Sequence, residues 1–367
     1  MKKFFENVRK MSKNNIFMLF FLIILIIFCI FLFLNNYSIQ LFVNGMNQIY
    51  SSEMQVYFLD VGQASANLIV FPNKTSLVID TGSSDSEEAF MKSVSEILHK
   101  NKINSIDYLI LTHSDDDHVG GASALLKSFQ VNHVLRPKIL STSPLEDKIE
   151  GYEVATTQSY AETITAVYSE ANCQVDYIEN SLISFGDNAT LQIFAAEEET
   201  YSDVNSYSPF IYVQSFGRSF MFTGDATSER EEEFLNQNSN LDINVDFLAV
   251  AHHGSRYSST SEFLDKINPT YAIVSAGDNL HPSRDVLERL QGCGVEKIYV
   301  TKEVGMIAVG VSENSVKIRT MSNFIDLPIF VVCILMIVFS IAHFKNLNVD
   351  KFSTKIYLNK RKKLLKN

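Results

Sequence analysis

A dense run of metal-competent side chains follows an apolar, strand-like segment near residue 110. Residues 112–121 are THSDDDHVGG, so two histidines and two aspartates, His113, Asp115, Asp117 and His118, stand within six positions. Imidazole nitrogens and carboxylate oxygens are typical ligands of zinc and manganese. An α/β sheet places its sites in loops at the carboxyl ends of strands. The alternative is an Asp-rich helix cap with incidental histidines, and the density of ligand-type residues favours metal binding.

The same layout recurs after three later strand-like segments. Asp225 follows one of them, His252 and His253 follow the next, and His281 follows the third. Taken alone, Asp225 is typical of a helix N-cap and His281 of a surface loop. Together the four loops hold five of the eight histidines, and this recurrence at strand ends favours a shared site.

The segments between these loops predict a layered α/β fold. Short apolar runs between residues 56 and 79 are separated by Gly62 and Pro72, which indicates a strand meander. Strand-like runs then alternate with helical segments up to about residue 300, and this alternation indicates two sheets. The predicted helices cover residues 86–100, 120–129, 156–172, 228–237, 259–267 and 283–291.

The joint pattern of the loops resembles the metallo-β-lactamase superfamily, and within it the hydrolase domain of ComEC-type competence proteins. Residues 58–63 (FLDVGQ) and 80–82 (DTG) are similar to the opening motifs of that branch. Its His-x-Asp-x-Asp-His form is matched at 113–118, with Asp115 where most of the superfamily has a second histidine. The later motifs match at 223–225, 252–255 and 281–282. The resemblance covers about 54–320 and implies a four-layer αββα sandwich.

The resemblance implies two divalent metal ions in this domain. Mixed imidazole and carboxylate ligands favour Zn²⁺, and the additional carboxylate makes Mn²⁺ the second choice. Either His252 or His281 completes the second ion's site, and we favour His252. The expected metal ligands are His113 and Asp115 for the first ion, Asp117 and His118 for the second, Asp225 as the bridge, and His252.

Three residues are expected to take part in catalysis: Asp117 through the second ion, and His253 and His281 directly. The two histidines are suited to orienting a substrate phosphate or protonating the leaving oxygen. The resemblance does not extend to a many-spanning channel, so we expect hydrolysis rather than DNA transport. One departure from the family affects substrate contacts, because Ala64 and Ser65 replace its Gly-Asp pair.

The charge distribution bears on the substrate. The chain carries a net charge of −11, but residues 35–323 alone carry −21. A phosphodiester is the substrate class that the resemblance implies, and a nucleic-acid binder gains most of its affinity from cationic contacts. We therefore expect a phosphodiesterase or phosphoesterase acting on a cell-surface phosphodiester, teichoic-acid-like or phosphocholine-bearing. The alternatives are an extracellular single-stranded DNA nuclease and a non-catalytic, membrane-tethered binding module.

Two apolar stretches predict a membrane anchor. Residues 16–34 are an unbroken apolar run, too long for a cleavable signal peptide, and residues 324–344 form a second run that we favour over a buried core helix. Basic residues flank both runs on their outer sides, which predicts cytoplasmic termini and an extracellular domain. The predicted order is a cytoplasmic basic tail (1–15), a span (16–34), a stalk (35–53), the hydrolase domain (54–320), a span (324–344) and a cytoplasmic basic tail (345–367).

Only two cysteines, Cys173 and Cys293, lie outside the predicted spans. They are the only pair available for a disulfide in an oxidising compartment, and the sequence leaves open whether they form one.

Overall fold

The computed structural model describes residues 46–321 apart from residues 199, 278 and 279. No helix within this part of the chain is long and apolar enough to cross a bilayer. The predicted spans at 16–34 and 324–344, together with both basic tails, lie outside the described residues, so the two-span anchor stays a prediction.

The first sheet has eight strands and combines antiparallel and parallel pairing. Its first three strands in the chain form an antiparallel meander, the next ones add in parallel, and the last hairpin of the domain pairs with the first strand. In spatial order the strands are β17 (Ser315–Thr320), β16 (Ile307–Ser312), β1 (Met54–Phe58), β2 (Ala66–Val70), β3 (Ser76–Thr81), β4 (Ser105–Ile110), β5 (Gln130–Arg136) and β8 (Gln174–Tyr177).

The second sheet has seven strands, of which the middle ones carry the later ligand loops. Its first four strands in the chain are antiparallel, and the following three add in parallel. In spatial order they are β15 (Lys297–Val300), β14 (Tyr271–Val274), β13 (Phe247–Ala249), β12 (Arg218–Phe222), β11 (Phe210–Ser215), β10 (Ala189–Phe194) and β9 (Ser181–Ser184). A short parallel pair, β6 (Leu140–Ser141) and β7 (Val154–Ala155), forms a third sheet.

The main hydrophobic core lies between the two large sheets. Buried side chains from both sheets form one cluster, in which the Phe58 ring on β1 stacks on the Phe222 ring on β12 at 5.7 Å between centroids. Burial of such aromatic side chains is the dominant favourable contribution to folding. The core therefore fixes the two sheets against each other and sets the spacing between the loops at their ends.

Helices complete the outer layers. A second buried cluster joins the outer face of the second sheet to helices through Phe234, Phe263 and Leu290. The result is the predicted αββα sandwich. The helices are α1 (Asn47–Tyr50), α2 (Glu87–Asn101), α3 (Asp116–Val119), α4 (Ala122–Ser128), α5 (Gln158–Ser169), α6 (Ser228–Gln237), α7 (Ser261–Ile267), α8 (Arg284–Gly292) and α9 (Thr301–Val304), with 3₁₀ turns at Ser84–Ser86, Val204–Tyr207 and Ala251–Gly254.

The two cysteines of the domain are free thiols. Cys173 precedes β8 on the first sheet, and Cys293 follows α8 beside the second sheet. The structure thus answers the question that the sequence left open.

Glu231 ties α6 to the beginning of α7. Its fully buried carboxylate accepts hydrogen bonds from the backbone N–H of Ser259 (2.5 Å), from the backbone N–H of Thr260 (2.8 Å) and from the Thr260 hydroxyl (2.7 Å). Thr260 is the N-cap of α7. The carboxylate thereby fixes the segment that follows the His252–His253 loop.

We predict that Glu231→Ala lowers the free energy of unfolding by about 2–4 kcal/mol, because it leaves buried donors without an acceptor. Chemical denaturation of the full chain in detergent measures the effect. Glu232→Ala, at the exposed neighbouring position on α6, is the matched control and is expected to change stability by less than about 0.5 kcal/mol. Equal stability of the two variants would contradict the structural role of Glu231.

Candidate metal centre

The candidate site lies where strand ends of both sheets meet. β3 and β4 run parallel in the first sheet, and β12, β13 and β14 run parallel in the second, so each set delivers its loops to one edge. The loop after β4 carries the first histidines and aspartates, the loop after β12 carries Asp225, and the loop after β13 carries His252 and His253. Residues more than 100 positions apart in the sequence are thereby brought together.

One ligand group consists of Asp117, His118, Asp225 and His253, whose ligand atoms all lie within 4.8 Å of one another. His118 Nε2 lies 2.9 Å from Asp225 Oδ1, and His253 Nε2 lies 3.2 Å from Asp117 Oδ2. His253 Nε2 is also 3.6 Å from Asp225 Oδ2. Two carboxylates and two imidazoles thus point at one position.

A second group consists of His113, Asp115 and Asp117, so Asp117 belongs to both groups. The His113 ring is fully buried, yet its Nε2 makes no hydrogen bond to any described residue. Asp115 Oδ2 lies 3.9 Å from that nitrogen. A buried imidazole nitrogen without a hydrogen bond is costly unless something else occupies its lone pair. A divalent cation fits this position, because the surrounding donors are the kind that such ions take.

The loop at His252 and His253 has an unusual backbone. Both residues have left-handed φ angles, 51° and 54°, a conformation that costs about 1–2 kcal/mol for a residue with a side chain. The next residue, Gly254, also has a positive φ of 80°, and a Cβ there would lie 2.5 Å from Pro282 Cβ, so only glycine fits. Strain of this kind clusters at functional sites.

The two histidines of this loop differ in their surroundings. The His253 ring is 4 % exposed and its Nδ1 lies 2.7 Å from the Ser275 carbonyl oxygen, so Nδ1 donates to that oxygen and Nε2, which faces the aspartates, is the atom that would bind a cation. This is the usual arrangement of a metal-bound histidine. The His252 side chain is 26 % exposed, and its Nε2 lies 3.8 Å from Asp225 Oδ2. Where the sequence favoured His252 as the sixth ligand, the geometry favours His253.

Three residues that sequence reasoning did not assign to the site support its ligands. Asp80, on β3, has a left-handed φ of 59°, and its Oδ2 lies 2.7 Å from His118 Nδ1. Its carboxylate also accepts hydrogen bonds from the Thr112 N–H and hydroxyl, both at 2.9 Å. Ser208 accepts a hydrogen bond from the Asp225 N–H through Oγ (3.1 Å). The DTG motif marked Asp80 as a family match, whereas no spacing in the sequence marks Ser208.

The glycine pair after the first ligands brings the loops together. A Cβ on Gly120 would lie 2.0 Å from the Ser84 nitrogen, so the backbone of α3 approaches the 3₁₀ turn after β3 more closely than any side chain permits. The Thr81 hydroxyl donates to the His118 carbonyl oxygen (3.0 Å) across the same contact. The close approach holds His118 against the end of β3.

Burial and neighbouring charges shift the pKa values of the ligands in opposite directions. Burial and the nearby His118 lower the pKa of His113 to about 3, so its imidazole is neutral. Burial also lowers the pKa of His118, but Asp225 and Asp80 raise it more, and the result lies well above the ordinary value. For Asp225, burial raises the pKa, but His118 and His253 outweigh burial and bring it well below the ordinary value. Asp225 is thus a carboxylate, ready to bind a cation.

The last predicted site residue, His281, belongs to neither ligand group among the described residues. It precedes Pro282 in a cis peptide bond, on the loop that packs against Gly254. An open cleft of about 680 Å³ adjoins Asp117. The charged residues lining this cleft are all aspartates, namely Asp60, Asp85, Asp116 and Asp117.

An αββα sandwich with imidazoles and carboxylates converging at its strand ends is the arrangement of the metallo-β-lactamase superfamily. Residues 59–278 match that superfamily, and the chain belongs to it. Its relatives include proteins of the ComEC competence family, as its motifs indicated.

Two curated relatives and one solved structure illustrate the similarity. The chain is 32 % identical to ComE operon protein 3 of Bacillus subtilis (strain 168) over 66 % of this chain and 31 % of the relative. It is 28 % identical to Recombination protein 2 of Haemophilus influenzae, over 77 % of this chain and 30 % of the relative. The chain thus spans about a third of the length of these relatives. The metallo-beta-lactamase fold protein YhfI from Bacillus subtilis aligns with a TM-score of 0.44 at 10 % identity, covering 73 % of this chain and all of YhfI.

We predict that Asp80→Asn weakens metal binding by about 10–100-fold, because the amide no longer fixes the His118 ring as a carboxylate does. Asparagine tolerates the left-handed backbone of this position, so the fold is retained. Competition with a chromophoric chelator measures the affinity. Asp85→Asn is the control, because Asp85 is exposed and lines the cleft beside Asp117. An equal loss of metal affinity in both variants would contradict the role of Asp80.

The two adjacent histidines give a second prediction. His253→Ala is expected to lower the metal content of the purified full chain by about one ion per molecule, because the best-formed ligand group loses an imidazole. His252→Ala is expected to retain that ion. Elemental analysis after gel filtration measures both variants. Loss of metal in His252→Ala alone would restore the assignment that the sequence favoured.

Proposed function

We propose that this domain is a dinuclear, metal-dependent hydrolase of phosphodiesters. The observation that carries the proposal is the sharing of ligands. Asp117 belongs to both ligand groups, and Asp225 lies within 3.8 Å of the Nε2 atoms of three histidines. Two adjoining groups that share the Asp117 carboxylate suit a pair of neighbouring ions rather than one.

The proposed assignment exchanges the roles that the sequence analysis gave to His252 and His253. His113 and Asp115 would hold the first ion and Asp117 and His118 the second, with Asp225 between them, as the resemblance implied. His253 would complete the second site in place of His252, and His252 would take the catalytic role expected of His253. Both Zn²⁺ and Mn²⁺ suit these ligands.

When bound, the ion pair supplies a water of lowered pKa and neutralises charge on the phosphate. The protein's part is to keep the Asp225 carboxylate ionised and to shield Asp225 and His118 from water. Asp225 is 3 % exposed and His118 fully buried, and Asp80 orients the His118 ring from the other side. We assign the orientation of the phosphate or the protonation of the leaving oxygen to His252, whose ring is partly exposed beside Asp225, and to His281 on the neighbouring loop.

The proposed substrate is a phosphodiester of the cell surface, such as a teichoic-acid-like or phosphocholine-bearing polymer, and the proposed location of the domain is the outer face of the membrane. The charge of −21 over residues 35–323 and the aspartate-lined cleft beside Asp117 count against nucleic acid and support a substrate whose phosphates carry neutral or cationic substituents, as phosphocholine does. A neutral or cationic group next to the scissile phosphate would be favoured in that cleft.

A single-stranded DNA nuclease is the second candidate. The similarity to competence and recombination proteins supports it, because a phosphodiesterase site in that family would meet DNA during uptake. The acidic cleft and the net charge count against it.

We predict that the purified full chain with Zn²⁺ or Mn²⁺ hydrolyses bis-p-nitrophenyl phosphate, and that Asp117→Asn lowers kcat/KM by at least about 100-fold. Asp265→Asn, at an exposed position on α7, is the control and retains activity. The loss follows because Asp117 serves both ligand groups.

A substrate panel separates the candidate functions. Turnover of a phosphocholine ester without cleavage of single-stranded DNA supports the surface phosphodiesterase. DNA cleavage that disappears in Asp117→Asn supports the nuclease instead. Bound metal with no turnover of any of the three substrates leaves the non-catalytic binding module as the remaining interpretation.

A further inference from the structure

The described chain ends on the same edge of the first sheet that carries the candidate metal centre. Thr320 at the end of β17 lies opposite Ile307, and Ile307 lies opposite Phe58 at the end of β1. The pairing continues through β2 to Thr81 at the end of β3. Four strand spacings of about 4.8 Å separate Thr320 from Thr81, or roughly 19 Å along one edge.

The described chain also begins beside β17. Gln48, on α1, accepts a hydrogen bond from the Arg319 guanidinium at its side-chain oxygen (2.7 Å) and one from the Lys317 ammonium at its carbonyl oxygen (3.4 Å). Both ends of the described chain therefore lie beside the same strand.

The predicted span at 324–344 begins three residues after Met321. Three extended residues reach at most about 10 Å. A bilayer entered at residue 324 therefore lies within about 10 Å of the edge on which the chain leaves the domain.

Leu280 and Tyr257 are the most exposed apolar side chains in the loops of this edge. Leu280 is 77 % exposed and Tyr257 is 67 % exposed. The loop of Leu280 is joined to α9, because the Lys302 ammonium donates to the His281 carbonyl oxygen (2.8 Å). The segment after α9 contacts the chain exit, because the Met321 N–H donates to the Met306 carbonyl oxygen (2.9 Å).

The loop of Tyr257 is held against the loop of Leu280, because the Ser283 N–H donates to the Gly254 carbonyl oxygen (2.8 Å). The Arg256 guanidinium carbon lies 5.7 Å from the centre of the Tyr257 ring. We call Arg256, Tyr257, Leu280 and Lys302 the rim. Exposed apolar and aromatic side chains with adjacent cations are typical of segments that rest in a lipid interface.

We propose that the rim docks on the lipid headgroups of the membrane that anchors the chain, so that the metal centre opens at the bilayer surface. The proposal rests on the predicted span and goes beyond the proposed function, because it determines where substrates are met. Phosphodiesters held at the bilayer surface would reach the metal centre directly, whereas those extending far from the membrane would not.

The absence of tryptophan from the chain provides a direct test. Leu280→Trp and Tyr257→Trp each introduce a single fluorophore into the rim of the full-length protein. Leu182→Trp is the matched control, because Leu182 is equally exposed (68 %) but lies on β9, the edge strand of the second sheet farthest from β14 and β15. Each variant is reconstituted into vesicles of phosphatidylcholine and phosphatidylglycerol, with and without brominated acyl chains.

Brominated lipid is expected to remove about half of the emission of the two rim variants, because interfacial side chains reach roughly 5–10 Å into the headgroup and acyl boundary. The Leu182→Trp emission is expected to stay unchanged. Emission of both rim variants that is insensitive to brominated lipid, or that falls no more than the control, overturns the proposal. The measurement needs neither metal nor substrate, so a failure of the proposed function leaves its outcome unaffected.

Discussion

The site depends on the electrostatic balance around Asp225. Asp80, Asp115, Asp117 and Asp225 converge within one small region, and Asp80 and Asp225 are almost fully buried. Buried carboxylates destabilise a fold unless positive charge or hydrogen bonds compensate them. Asp80 is compensated by hydrogen bonds, from the His118 ring through Nδ1 (2.7 Å) and from the Thr112 N–H and hydroxyl. Divalent cations would supply the positive charge that the remaining carboxylates lack. The concentration of carboxylates that makes the cluster costly to bury is therefore also what suits it to metal-dependent hydrolysis.

The backbone around this cluster is shaped to bring the ligands close together. Asp80, His252 and His253 adopt left-handed conformations, and Gly120 and Gly254 occupy places where a Cβ would collide with a neighbouring loop. Strain at these positions is offset by the core between the two sheets, whose packing fixes the strand ends. The rigid sandwich thus supports strained loops at the metal centre, which is a common division of roles between scaffold and site.

Much of the fold and part of the site followed from the sequence. Strand-like runs ending in ligand-type loops indicated two sheets, and the helices predicted at 86–100 and 228–237 agree closely with α2 and α6. The pairing of the β16–β17 hairpin with β1 was not predicted, because periodicity identifies a strand without identifying its partner. β1 lies about 250 positions earlier in the chain, and this pairing brings the end of the domain to the metal edge.

The sequence by itself determined which side chains are available for chemistry: His113, Asp115, Asp117, His118 and Asp225 are of ligand type and follow strands. It left the last ligand open between His252 and His281, favoured His252 and assigned His253 to catalysis. Only the tertiary structure distinguishes His252 from His253, through a left-handed turn that points the His253 ring at Asp117 and leaves the His252 ring partly exposed. The same holds for Asp80 and Ser208, whose roles depend on distances across the sandwich. The physical reason is that residue type follows from local sequence, whereas the direction in which a side chain points is fixed by packing between distant segments.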